Sequence, residues 1–248
     1  MNNQLFSIST NAKTVKGEKL GYLTGILYLA PAMLSGYQVC PMAETAQCIE
    51  PCLNRAGLGG VYTSIQKARI AKTRRFFEQR EAFMGDIVYS VKRLIKLARK
   101  ARRDKRGRFA KPYQVLVRLN GTSDIRWENV PVTIDGITYR NLMEAFPTIQ
   151  WYDYTKIANR KNLPDNYDLT FSYSGVKAYA PHVAKAQKAL MRIAVVFRHE
   201  KNIPATFLNM ECIGGDNSDV RHIEPQNVIV ALYAKGPARH DQSGFVVN

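Results

Sequence analysis

Six short apolar runs, each closed by a polar or turn-forming segment, limit what this chain can fold into. They are "YLTGILYLAP" (22–31), "YQVLVRL" (113–119), "IQWYDY" (149–154), "YDLTFSY" (167–173), "IAVVFR" (193–198) and "QNVIVALYA" (226–234). Runs of this length, rich in branched and aromatic residues, read as buried strands. Helical patterns separate several of them. The tract from about Thr63 to Arg103 predicts two helices, and its second half sets Ile87, Val88, Val91, Leu94, Ile95 and Ala98 at helical spacing. "VPVTIDGITY" predicts a hairpin turning at Asp135-Gly136, with a short helix near Asn141 to Ala145 after it, and "PHVAKAQKALMR" (181–192) predicts a helix beginning at its proline. Strands alternating with helical connections predict an α/β fold with a parallel sheet. The expected architecture is one α/β domain over residues 1–248, an incomplete TIM-type (βα) barrel. Residues 63–111 are expected as a long basic helical insertion and 236–248 as a loose tail.

Charge adds a partner. Lysine and arginine total 36 against 20 acids, a formal net charge of +16. Most of the excess lies in one window, where Lys92, Arg93, Lys96, Arg99, Lys100, Arg102, Arg103, Lys105, Arg106, Arg108 and Lys111 meet a single acid, Asp104. Such a run is either a solvated helix surface or a phosphate-contacting face, and its density favours nucleic acid. The apolar stretch 22–34 contains Gly25 and Pro31. It is shorter than the roughly 20 residues a spanning helix needs, and it lacks the layout of a signal peptide. No membrane partner is expected, and reducing cytoplasm is the expected compartment.

In that compartment clustered cysteines more often bind metal or do chemistry than form disulfides. "CPMAETAQCIEPC" (40–52) follows the first predicted strand and holds three of the four cysteines, with no histidine among them. The spacing C-x₇-C-x₃-C contains no CxxC pair of the kind zinc sites use. Three thiolates on one loop suit the face of an iron–sulfur cube; zinc and unligated thiols stay open, and a disulfide is the weakest reading. In α/β barrels the chemistry gathers at the carboxyl ends of the strands. "NGTSD" (120–124), "DYTK" (153–156), "SYS" (172–174) and "RHE" (198–200) follow strands, and "GGDNSDVR" (214–221) precedes the last. From these, Asp124, Asp153 and Lys156 are the candidates for acid–base or substrate contact. Gly121, Ser123, Asp216, Asp219 and Arg221 are the candidates for a cofactor or phosphate loop, although a plain Gly-Asp turn explains the last three as well. Trp127, Trp151, Tyr152 and Tyr154 suit base stacking but more commonly belong to a core. His182, His199, His222 and His240 have no ligand spacing.

Several segments carry a resemblance. "CPMAETAQCIEPCLNRAG", "SIQKARIAKTRRFF" (64–77), "VRLNGTSDIRWENVP" (117–131), "WYDYTKIANR" (151–160), "NLPDNYDLTFSYS" (162–174) and the closing "GGDNSDVRHIEP…VIVALYAKGPA" resemble, in order, the phage gene product 88 family. That resemblance implies a bacteriophage or prophage origin and work in the host cytoplasm, and it maps the family's three-cysteine stretch onto Cys40, Cys48 and Cys52. A weaker, architectural resemblance is to radical S-adenosylmethionine enzymes, partial barrels whose CxxxCxxC loop follows the first strand. It implies a 4Fe-4S cluster on the three thiols and S-adenosylmethionine near Gly121 and Asp124. The spacing here departs from that loop, and no aromatic residue precedes the last cysteine. Two functions are therefore expected in competition. One is a phage iron–sulfur protein, as a radical-SAM-like enzyme acting on nucleic acid or nucleotides. The other is a non-catalytic nucleic-acid-binding protein with a structural metal.

Overall fold

All six apolar runs form strands in the computed structural model, which describes residues 4–10, 12–100, 102–103 and 109–248. In chain order the strands are β1 (Ser7–Ile8), β2 (Tyr22–Ile26), β3 (Arg102–Arg103), β4 (Phe109–Ala110), β5 (Gln114–Arg118), β6 (Val132–Ile134) and β7 (Ile137–Tyr139). There follow β8 (Gln150–Thr155), β9 (Tyr167–Ser172), β10 (Ile193–Phe197), β11 (Thr206–Phe207), β12 (Met210–Gly214) and β13 (Ile229–Tyr233). The helices are α1 (Ala12–Lys19), α2 (Gly57–Val61), α3 (Thr63–Glu78), α4 (Arg80–Arg99), α5 (Leu142–Ala145) and α6 (Ala180–Lys188).

One mostly parallel sheet of nine strands has the order β1-β2-β5-β8-β9-β10-β13-β12-β11. The six strands foreseen from the sequence lie side by side in chain order and are all parallel. β12, parallel to β13, and the antiparallel edge strands β1 and β11 are additions that no long apolar run announces. The sheet is open, since β1 and β11 each pair with a single neighbour. Parallel pairing without an intervening turn forces crossovers, and the longest, from β2 to β5, carries the thiol loop, α3 and α4.

α4 is therefore not an inserted arm. It buries Phe83, Met84, Ile87, Val88, Val91, Leu94 and Ala98 against Leu23, Val117, Trp127 and Trp151 in the largest apolar cluster. At roughly 1.5–3 kcal/mol for each large apolar side chain removed from water, this face is a main contributor to stability. Trp127, Trp151 and Tyr152 are fully buried, so the aromatic residues belong to the core and do not form a stacking platform. The other face of the sheet is covered by the segment after β12, where Val220 packs on Leu116 and Tyr152.

Local chemistry sets the turns. Asp135 (φ 52°) and Gly136 (φ 82°) take the two left-handed positions of the β6–β7 hairpin, the geometry that Asp-Gly favours. α6 ends at Lys188, short of the expected 192, because Leu190 turns left-handed (φ 52°) and Met191 N–H closes on Ala186 O. The segment after Lys235 is packed, contrary to the expected loose tail. Ala238 and Val246 are buried, Val247 bridges to Phe197, and Asp241 accepts from Ser243 and Val246.

Arg192, fully buried at the start of β10, fastens the covering segment to the sheet. Its guanidinium donates to Asp168 at 2.7 Å, Thr170 at 2.9 Å, Glu224 O at 2.9 Å and Pro225 O at 3.2 Å. Replacing one member of a buried ion pair strands the other. Arg192→Met is expected to lower unfolding free energy by roughly 3–5 kcal/mol, read from urea denaturation of the two chains.

Candidate functional site

The thiol loop owes its shape to backbone turns. Ala43 N–H returns to Cys40 O at 3.0 Å and Cys48 N–H to Ala43 O at 3.0 Å, which winds the seven intervening residues into a compact turn. Cys52 then caps a short 3₁₀ turn (Leu53–Arg55), its Sγ accepting from Asn54 N–H. The loop is tied down from several sides. Asp124 N–H donates to Val39 O at 2.8 Å, Thr122 Oγ1 to Leu29 O at 2.5 Å, and Ser174 Oγ to Ala46 O at 2.8 Å. Arg74 reaches Ser35 O, and Ala30 N–H donates to Thr73 Oγ1. The helix running along the loop is thus α3.

Cys40, Cys48 and Cys52 line one cavity of about 260 Å³, with Ala32, Ala43, Ile49 and Arg55 among its walls. All four cysteines are free thiols. Cys212 sits in β12 and does not line the cavity. Burial pushes the Cys40 thiol up to about 12, with Cys52, Asp124 and Cys48 adding to the rise against a backbone N–H that opposes it. Burial raises Cys48 and Cys52 likewise. Left alone, the cavity is lined by neutral thiols. Among the described residues, no three or more His, Cys, Asp or Glu side chains are grouped as ligands to a single ion.

Two of the acid–base candidates come near the thiols: Asp124, which acts on Cys40 and Cys48, and Lys156. Lys156 is buried, and Nζ donates to Ser172 O at 3.1 Å, Ser172 Oγ at 3.2 Å and Tyr173 O at 3.3 Å. Burial lowers its pKa, while Cys48, Asp124, Cys52 and Cys40 act in the opposite sense. Asp124 holds the strand ends together, accepting from Thr155 Oγ1 and Lys156 N–H at 2.8 Å each. Asp153 faces the helices and accepts from Asn120 N–H at 2.7 Å and Tyr167 OH at 2.8 Å. It is buried away from the cavity and serves to position the start of "NGTSD". Ser123 donates to Asn120 Oδ1.

Gly121 is explained by a close approach: a Cβ there would stand 2.6 Å from Leu27 O, so only glycine lets the end of β5 cross the end of β2. Asp216, Asp219 and Arg221 do not line the thiol cavity. Asp219 accepts from Arg118 at 3.0 Å, Tyr152 OH at 3.0 Å and Tyr154 OH at 2.9 Å on the covered face. Asp216 pairs with Lys235, and Arg221 with Glu224. Their positions give the plain reading of "GGDNSDVR", a packed crossover.

The family model of gene product 88 matches residues 4–248. The chain belongs to the gene product 88 family. Comparison with the curated proteins and with the solved structures gives no match. In this family member no helix among the described residues is long and apolar enough to cross a membrane. On α4, Lys92, Arg93, Lys96 and Arg99 are exposed, as is Lys100 just beyond its end; Arg102 and Arg103 lie in β3, and Lys105, Arg106 and Arg108 lie outside the described residues. Sequence reading missed Arg160 and Glu128. Arg160 is buried between Asp124, at 3.7 Å, and Glu128, to which Nε donates at 3.0 Å. The signal was available in "WYDYTKIANR", where an arginine follows an apolar strand end, but its partner lies in a different segment.

Burial outweighs the Arg118 charge and the two hydrogen bonds and lifts Asp153 to about 7, against about 3.9 in an unfolded chain. Between those values the folded protein holds the extra proton, so Asp153 makes stability fall as pH rises. Asp153→Asn, which keeps an acceptor for Asn120, is expected to flatten that part of the decline in thermal midpoint between about pH 4 and 7. An unchanged slope would place the titration elsewhere.

Proposed function

We propose that this chain is a phage metalloprotein whose Cys40, Cys48 and Cys52 hold a 4Fe-4S cluster. The observation that carries the reading is the convergence of three thiols on one cavity beside a buried lysine. The donor set fits. Soft thiolates without histidine suit zinc or iron–sulfur, and a single zinc wants its donors gathered about one point, whereas a cube gives each thiolate its own iron. Three thiolates on such a cluster leave net negative charge in a buried place, and the Lys156 ammonium is there to offset it. The six parallel strands in chain order are read here as an incomplete (βα) barrel with the thiols at the carboxyl-end rim. When bound, a cluster of this kind with one open iron supplies the electron that splits S-adenosylmethionine into methionine and a 5′-deoxyadenosyl radical. The chain's own part is to shield the site with Ala32, Ala43 and Ile49, and to fix the thiols through Val39, Thr122 and Ser174.

Protein purified without oxygen is expected to contain about four irons and matching sulfide, with Cys48→Ala losing both. Uptake should rise with pH, because each raised thiol must give up its proton to bind. Methionine and 5′-deoxyadenosine should form from S-adenosylmethionine under reduction. One zinc per chain without iron would sink the cluster.

A second reading rests on the exposed cations of α4: a nucleic-acid-binding protein with a structural metal. Exchanging Lys92, Lys96 and Arg99 for glutamate should abolish oligonucleotide binding and leave metal content unchanged, and the wild-type affinity should fall steeply with salt. Affinity equal to wild type would remove α4 from both readings.

A further inference from the structure

Five buried or half-buried arginines of this protein each meet a carboxylate, and two neighbouring cations on α3 do not. Arg75 meets Asp86, Arg118 meets Asp219, Arg160 meets Glu128, Arg192 meets Asp168 and Arg221 meets Glu224. Arg69 and Lys72, one helical turn apart on α3, meet no carboxylate among the described residues, although both are partly buried. Residues three apart on a helix are surface neighbours, so two like charges stand together in a place poorly reached by water. Burial and the neighbouring Arg69 push the Lys72 ammonium down to about 8. Burial lowers Arg69 as well.

The arginine is held in place. Its guanidinium lies over the Tyr28 ring at 4.9 Å, Nη1 donates to Asn54 Oδ1, and a Cβ on Gly59 would press on it at 2.9 Å. Its Nε is shut from solvent and has no acceptor among the described residues. Asn54 and Cys52 line the thiol cavity, and Arg69 feels the Cys52 sulfur. Two neighbouring cations without a counter-charge among the described residues, one of them held in place with an unused donor, fit an oxyanion. A phosphate monoester, with a charge of about −1.5 to −2, matches the pair better than a carboxylate does.

We propose that Arg69 and Lys72 form a phosphate-binding site beside the thiol cavity. The site does not require that the thiols hold a cluster, so it goes beyond the reading above. Its ligand is either a free nucleotide or the backbone of a nucleic acid.

Calorimetry on the full chain with inorganic phosphate, AMP and an oligothymidylate lacking terminal phosphates tests this, with iron measured in the same preparations. Binding of any of the three that Lys72→Met weakens roughly tenfold, and that Lys72→Arg restores, supports the site whatever the iron content. AMP binding tighter than the oligomer assigns a free nucleotide; the reverse assigns a backbone. Lys188→Met, at the exposed end of α6, should leave AMP binding unchanged. A second readout is the Lys72 signal in reductively ¹³C-methylated protein, whose pKa should rise when AMP is added. The proposal is overturned if none of the three probes binds, if Lys72→Met binds them as wild type does, or if the Lys72 titration ignores a probe that binds.

Discussion

A parallel sheet threaded in chain order sends the carboxyl ends of its strands to one rim, and nothing in the sheet itself fixes the loops that leave there. In this chain that task falls to a buried charge network. Arg160 stands between Asp124 and Glu128, and Asp124 in turn holds Thr155 and the Lys156 amide. Such groups cost free energy to bury and repay it only when fully engaged, so the rim is all-or-none. With it in place, the thiol loop has walls to fasten to.

The same economy separates structural from chemical groups. Asp153, Asp219 and Arg221 are occupied by tyrosines, backbone groups and opposite charges inside the fold. The thiols, Lys156, Arg69 and Lys72 are the groups near one cavity whose protonation burial disturbs and which no carboxylate pairs outright. Perturbed groups gathered in one concave place are where binding and chemistry are sought first.

Much of the fold was legible because the pattern was local. The six central strands, the Asp-Gly hairpin and the apolar stripe of α4 follow from spacing and turn chemistry within a few residues. β1 and β11 were not legible, since two-residue edge strands carry no period. The stripe showed that one face of α4 is buried but not against what, so its place in the main core was not legible: Leu94 and Val91 pack there, and the lysines are its outer surface. Polar strand ends were marked correctly as places, but not by role. Which way Asp153 faces depends on which side of β8 meets the helices, and on partners such as Arg118 and Tyr167 that are distant in sequence. The convergence of Cys40, Cys48 and Cys52 needed only their loop, while the neighbourhood of Arg69 needed the docking of α3 along it.

The fastening of the thiol loop by Val39, Thr122, Ser174 and α3 has a thermodynamic side. In small metal-built domains the ligand and the fold arrive together, so losing one loses the other. Here the loop's conformational entropy is surrendered to the sheet rim and to α3, before any occupant enters. An occupant of the cavity would then add its binding free energy to a fold that already stands, rather than create that fold.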